Sequence, residues 1–323
     1  MFVDELERFA AEVSDPRCAA IARRLATPLR VSVSGRRGVG RSTVAHALAR
    51  AGDLSGTLVL ATPARADVAV YVLADAVKPE DSEVIAATTR PVLTVLNKAD
   101  LIATAEPGRH PDGPTVAARN RCARLSTRTG MPVEPLVGLL AVAALDDLVD
   151  DTMWAALQSL ADGHTVAAQL RCRLVDTLDT FGVAQAVAAC RRGASRAETG
   201  ALLRDFSCID EVVDKIGVLG AQVHYRRVLH AVAELETLAV TDPRVGGFLS
   251  RDVTVVARMM AAMDVVEAVG MNVDRCDTAT AHLRRAVQWH RYRRGPVAGV
   301  HRACGADIVR GSLRLWAKVG GSV

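Results

Sequence analysis

The spacing of apolar residues splits the chain into a first part that alternates strand and helix and a second part that is helical throughout. Residues 2–13 and 16–26 carry helical periodicity and are broken at Ser14-Asp15-Pro16, where proline can open a helix but not continue one. Leu29 to Ser34 alternates, is rich in β-branched residues and predicts a strand ending at Gly35. Ser42 to Arg50 predicts a helix closed by Gly52. Thr57 to Ala61 is apolar, and Asp67 to Leu73 and Pro91 to Leu96 predict buried strands, with a helix over 80–89 between them. Pro107 to Pro114 is a loop by composition, followed by a helix over 115–129 and a last strand near 132–142. From about 145 the helical period runs to the end. Strand–helix alternation followed by helices predicts an α/β, mainly parallel sheet joined to an all-α C-terminal domain. The expected boundaries are 1–28 for N-terminal helices, 29–160 for the sheet domain and 161–323 for the helical domain.

Composition narrows this only slightly. The length of 323 residues suits roughly two domains. Met1-Phe2-Val3-Asp4-Glu5 is acidic, so no secretory signal is expected. The longest apolar run, Leu136 to Leu145, falls well short of the ~20 residues needed to cross a bilayer. Seven scattered cysteines without a C-x-x-C pair fit reduced thiols of a cytoplasmic protein.

Two segments carry chemistry. Gly35-Arg36-Arg37-Gly38-Val39-Gly40-Arg41-Ser42-Thr43 fits the phosphate-binding pattern G-x-x-x-x-G-[KR]-[ST]. Between a strand and a helix, its glycines let the backbone wrap a phosphate. The amides from Gly38 to Thr43 would then point at an anion from a helix N-terminus. Ser42 is placed to hold Mg²⁺, and Arg41 stands where lysine is usual, a planar fork in place of a point charge. Asn97-Lys98-Ala99-Asp100 ends an apolar strand. The Asp100 carboxylate can accept both N1–H and N2–H₂ of guanine, which adenine cannot reciprocate. Asn97 would bridge the base and the phosphate loop, and the Lys98 stem would cover the ring.

With both motifs in this order, residues 30–145 resemble the translation-factor-related class of P-loop GTPases. Asp67 to Asp75 is similar to that family's strand after switch II. The helical termini are similar in layout to bacterial dynamin-like proteins. The resemblance implies bound GTP or GDP, with Mg²⁺ as its metal. Three departures stand out. The G3 position D-x-x-G is Ala61-Thr62-Pro63-Ala64, without aspartate or glycine. Only Ala51 to Gly56 remains for switch I, and the guanine-side S-A-K is replaced near Leu140-Ala141-Val142, with Ala141 as the candidate contact. Five residues separate Ala61 from Asp67 and reach at most ~18 Å, which leaves Thr57 to Ala61 either antiparallel or outside the family's third-strand position. Phosphoryl transfer rests on positioning and charge, so hydrolysis by the isolated chain is expected to be weak or absent.

Between His282 and Lys318 lie eight arginines and one lysine against the single acid Asp307. Arg284, Arg285, Arg291, Arg293 and Arg294, interleaved with Trp289 and Tyr292, are the candidate anionic-partner surface. A solvated basic face is the first reading of that segment, and an acidic protein or intramolecular partner, another GTPase among the candidates, is the second. Peripheral contact with the inner membrane surface is the third, and nucleic acid is not expected. The reading is a guanine-nucleotide-binding, pseudo-GTPase-like regulatory or structural subunit. Its alternatives are a slow dynamin-like GTPase completed in trans and a helical scaffold with a vestigial site.

Overall fold

The computed structural model describes residues 2–102 and 114–320, so all of the expected proline-rich loop except Pro114 lies outside the described residues. In chain order come α1 (Phe2–Val13), α2 (Pro16–Leu25), β1 (Leu29–Gly35), α3 (Arg41–Ser55), β2 (Leu58–Leu60), β3 (Val68–Leu73) and α4 (Pro79–Ala86). Next are β4 (Val92–Asn97), α5 (Pro114–Thr129), β5 (Val133–Leu136), α6 (Gly138–Leu145), α7 (Asp151–Ala161), α8 (Ala168–Arg191) and α9 (Arg196–Ser207). Helices α10 (Ile209–Ala239), α11 (Pro243–Ser250), α12 (Asp252–Ala268), α13 (Ala279–Arg293) and α14 (Gly299–Lys318) complete the chain.

The chain divides into two compact units, Pro28–Leu219 and Met1–Thr27 with Gly220–Val323. The expected boundary at 160/161 is therefore not where the fold divides. Helices α7 to α9 stay with the sheet because Met153, Leu157, Leu174, Leu178 and Leu203 share a core with Leu140 of α6. The N-terminal helices do not form a piece of their own. Phe2, Leu6, Phe9, Ile21 and Leu25 pack with Val228, Leu235 and Phe248, and Phe9 stacks on Phe248 at 4.5 Å between centroids. Among the described residues no helix is long and apolar enough to cross a membrane.

The sheet of the Pro28–Leu219 unit has the order β2-β1-β3-β4-β5, every ladder parallel. Strands β3 and β4 lie inside it, and Val70 to Leu73 and Leu93 to Leu96 are buried, as expected of runs covered on both faces. Thr57 to Ala61 is not antiparallel, because β2 pairs in parallel with the first half of β1. The short connection succeeds through stagger. Leu60 and Val68 both pair with Val31, from opposite sides. The chain crosses two strand spacings, about 9.6 Å, without returning along the sheet. Ala61 N–H donates to Val31 O, Asp67 N–H donates to Arg30 O, and the Asp67 carboxylate holds the Arg30 guanidinium at 2.8 Å.

Two other expectations fail locally. Helix α3 continues through Gly52 to a left-handed Gly56. A Cβ on Gly52 would stand 2.3 Å from Leu58 O, so this glycine admits β2 rather than ending the helix. The last strand stops at Leu136, and the apolar run beyond it is α6. Ten apolar residues in a row fit a buried helix as well as a buried strand.

Candidate functional site

β1 delivers Gly35 to the carboxyl edge of the sheet, next to Val72 of β3. Gly35 has φ 145° and passes so close to β3 that a Cβ would stand 2.5 Å from Val72 O. Gly38 and Gly40 follow with φ 84° and 86°, and Gly40 is the residue before α3. No side chain caps this helix start, whose first amides lack intrahelical acceptors. Arg41 and Ser42 are exposed there, Thr43 is half-buried and Val39 is buried. The loop therefore combines left-handed turns, an uncapped helix start and exposed polar side chains, a set that suits a phosphate.

One of its arginines is committed elsewhere. Arg36 Nε donates to Asp81 Oδ1 at 2.9 Å, and Asp81 is fully buried at the start of α4. Tyr71 Oη–H also donates to Asp81 Oδ1, at 2.7 Å, and Lys78 N–H donates to Oδ2 at 2.8 Å. Burial, reinforced by the Asp81 carboxylate, pushes the Tyr71 phenol up to about 12. This set pins the loop to β3 and the start of α4 from one side. Nothing in the spacing of Arg36, Tyr71 and Asp81 announced it.

The second motif is joined to the first directly. Asn97 is buried, its Nδ2–H donates to Val39 O at 2.9 Å, and its Oδ1 accepts from Gly138 N–H at 3.0 Å. A Cβ on Gly40 would stand 2.3 Å from Asn97 Nδ2, and one on Gly138 would stand 2.9 Å from Oδ1. Two glycines thus make room for one amide that ties the loop, β4 and the start of α6 together. Asn97 therefore reaches the glycine loop. Its other end is taken by Gly138 N–H instead of being left for a base.

The base side is closed. Lys98 is exposed in a left-handed turn (φ 59°), but Asp100 retains 6% exposure. Asp100 lines a narrow cavity with Ala118, Pro135, Phe181, Phe206 and Cys208. Burial pushes its carboxyl above the usual range, its own backbone N–H pulls it back, Asp179 raises it further and Lys98 lowers it. Ala141 is not among the residues lining this cavity and lies wholly buried within α6. By sequence alone it falls near the end of a longer expected strand, 132–142.

The candidate G3 segment is also displaced. β2 ends at Leu60, level with Val31, whereas the loop begins at Gly35, four positions along β1. At about 3.3 Å per residue this leaves Ala61 to Ala64, which follow Leu60, starting about 13 Å short of Gly35 along the strand direction. They form a 3₁₀ turn at Pro63–Arg65 whose Ala64 carbonyl accepts from Arg90 Nη2 at 3.1 Å. Among the described residues no group of three or more His, Cys, Asp or Glu could hold a metal ion, so Ser42 stands without a carboxylate set around it. The phosphate half of a nucleotide fits the residues present. The base half does not fit while Asp100 is enclosed, and a metal would rely on Ser42 and the phosphates themselves. No protein-family model and no curated protein matches the chain.

The arginine-rich segment lies in the other unit, on α13 and α14. Arg285 is not part of a surface there. It is 2% exposed, because Ala281, His282, Arg285, Ala286 and Trp289 form the inner face of α13. Arg285 Nε donates to Ser312 Oγ at 2.9 Å, and its Nη1 donates to Asp274 O at 2.5 Å. Arg284, Arg291 and Arg294 are exposed and Arg293 half-buried. Asp307 cannot offset them: it is 2% exposed and accepts from Tyr225 Oη, Arg258 and Arg310.

Proposed function

We propose that the chain is a guanine-nucleotide-binding protein whose switch elements are reduced, so that it holds a nucleotide rather than turning it over. The single observation carrying this reading is Asn97, whose amide joins the glycine loop to the end of β4 at the carboxyl edge of the sheet. That contact brings the two segments together in space, which supports reading them as one site. Loss of hydrolysis follows from the ~13 Å stagger of the segment in the G3 position and from its missing carboxylate. The test is calorimetry on the full chain with GDP, GTP and ATP. The expected result is preference for guanine, with GDP and GTP within roughly tenfold, about 1.4 kcal/mol. Asp100→Asn should weaken both and favour a xanthine nucleotide. Equal binding of ATP and GTP would overturn the guanine assignment.

The enclosure of Asp100 favours a second reading, a helical scaffold whose site is vestigial. Failure of the chain to bind any nucleotide at millimolar concentration would promote it.

The regulatory role would run through a partner at Arg284, Arg291, Arg293 and Arg294. Trp289 is buried and Tyr292 Oη is bonded to His301 Nδ1 at 2.8 Å, so neither is free to anchor in lipid. This favours an acidic protein surface over a membrane, with binding that falls steeply as salt shortens the Debye length below about 8 Å. Retention of a partner by Arg291/Arg293/Arg294→Ala at every salt concentration would remove this role.

A further inference from the structure

The two halves of the site disagree, and the disagreement has a local origin. The inference below rests on the guanine-nucleotide reading. Helix α8 is interrupted at Asp179, which has φ 58° and ψ 173°, a region that glycine alone populates at low cost. The Asp179 carboxylate holds the kink by accepting from Thr180 N–H at 2.5 Å and from Thr180 Oγ1–H at 3.1 Å. Before the kink, Leu174 and Leu178 are buried anchors. Just beyond it, Phe181 meets Phe206 edge to face, centroids 5.8 Å apart, and both rings border the cavity at Asp100. Gly182 then packs on α6, where a Cβ would stand 2.3 Å from Leu140 Cδ2. One of the residues closing this side, Phe181, therefore follows directly on a strained residue, and it meets Phe206 from α9.

We propose that the Thr180–Phe181 turn of α8 is a lid over the base subsite, closed in the nucleotide-free chain, with Phe181 displaced about Asp179 when guanine engages Asp100 while Gly182, Ala186 and Ala189 stay packed in the core. Ionised Asp100 is disfavoured behind the closed lid, since Phe181 and Phe206 exclude water and Asp179 adds a like charge. The backbone strain at Asp179 lowers the cost of leaving the closed state. A lid of this kind makes apparent affinity depend on the fraction of open molecules.

The experiment measures GDP binding by calorimetry and amide hydrogen exchange at Phe181, using the full chain. If roughly a tenth of the molecules are open, Phe181→Ala raises GDP affinity about tenfold. GDP speeds exchange at Phe181 in the unmodified protein. Asp179→Gly, which adopts the kink without strain, slows that exchange in the nucleotide-free chain. Phe181→Leu, which keeps an apolar side chain but loses the ring, gives the same reading should Phe181→Ala fold poorly. GDP binding that is measurable, equal in the unmodified chain and the Phe181 variants, and without effect on exchange overturns the lid and leaves the guanine reading standing. Absence of guanine-nucleotide binding in every variant overturns both.

Discussion

Gly40 and Gly38 share one backbone conformation but not one environment, which separates two physical effects. Both have φ near 85°, where an alanine costs roughly 1–2 kcal/mol from its Cβ alone. At Gly38 the space is open, so Gly38→Ala is expected to lower stability by about 1 kcal/mol. At Gly40 the new Cβ would stand 2.3 Å from Asn97 Nδ2, so the cost is expected to reach about 2–4 kcal/mol. Equal losses for the two variants in urea denaturation would show that Asn97 does not fill that space. Asp100 gives a prediction of unusual sign. Its folded-state pKa is raised, so the folded chain holds the proton more tightly than the unfolded chain. The ionised carboxylate therefore costs stability, increasingly as pH rises from the unfolded value near about 4 through the elevated folded value. Asp100→Asn is expected to raise the melting temperature of the nucleotide-free chain at neutral pH, and to match the unmodified protein at low pH. The same change should weaken guanine binding, so stability and function move in opposite directions. A lower melting temperature at pH 7 would mean that Asp100 is ionised and well paired.

At the scale of elements, Asp81 is the junction between the loop, β3 and α4. Its side chain is fully buried and accepts from Arg36, Tyr71 and Lys78 N–H. Asp81→Ala leaves the Tyr71 hydroxyl and the Arg36 guanidinium without their acceptor, for an expected loss of about 3 kcal/mol by denaturant titration. A loss below about 1 kcal/mol would show that water replaces the carboxylate. This junction was not legible in the sequence, because a buried carboxylate on a short helix looks like any first-turn acid. The strands were legible where alternation or a β-branched run coincided with turn residues, as at Leu29–Gly35 and Val68–Leu73. The β5–α6 step was not, since Leu136 to Leu145 satisfies both periods. That error carried Ala141 into the candidate site. Asn97 was legible as a bridge because its role needs only the strand end and the loop. The enclosure of Asp100 was not, because it involves two phenylalanines 81 and 106 positions away in the chain.

At the scale of the whole molecule, the sequence divides by element type but the fold divides by which apolar faces meet. Helices α1 and α2 carry too little surface to bury their own Phe2, Leu6, Phe9 and Ile21, so they complete a core with α10, α11 and α12 from the far end of the chain. Phe9 is 1% exposed, stacks on Phe248, and has the Arg251 guanidinium 5.5 Å from its ring centroid. Helix α12 then carries that core on to Met259, Met263 and Val266, which pack with Trp289. Phe9→Ala is therefore expected to destabilise the Met1–Thr27 and Gly220–Val323 unit by about 3–5 kcal/mol. The three tryptophans make this measurable, since Trp289 and Trp316 fall in that unit and Trp154 in the other. In a chain retaining Trp289 alone, the fluorescence transition in denaturant should move to lower concentration by the full amount. A shift under about 1 kcal/mol at Trp289 would mean that the N-terminal helices are an appendage rather than part of that core. The N-terminal segment of 27 residues and the C-terminal helices would then have to be treated as separate folding units, against the packing of Phe9 on Phe248.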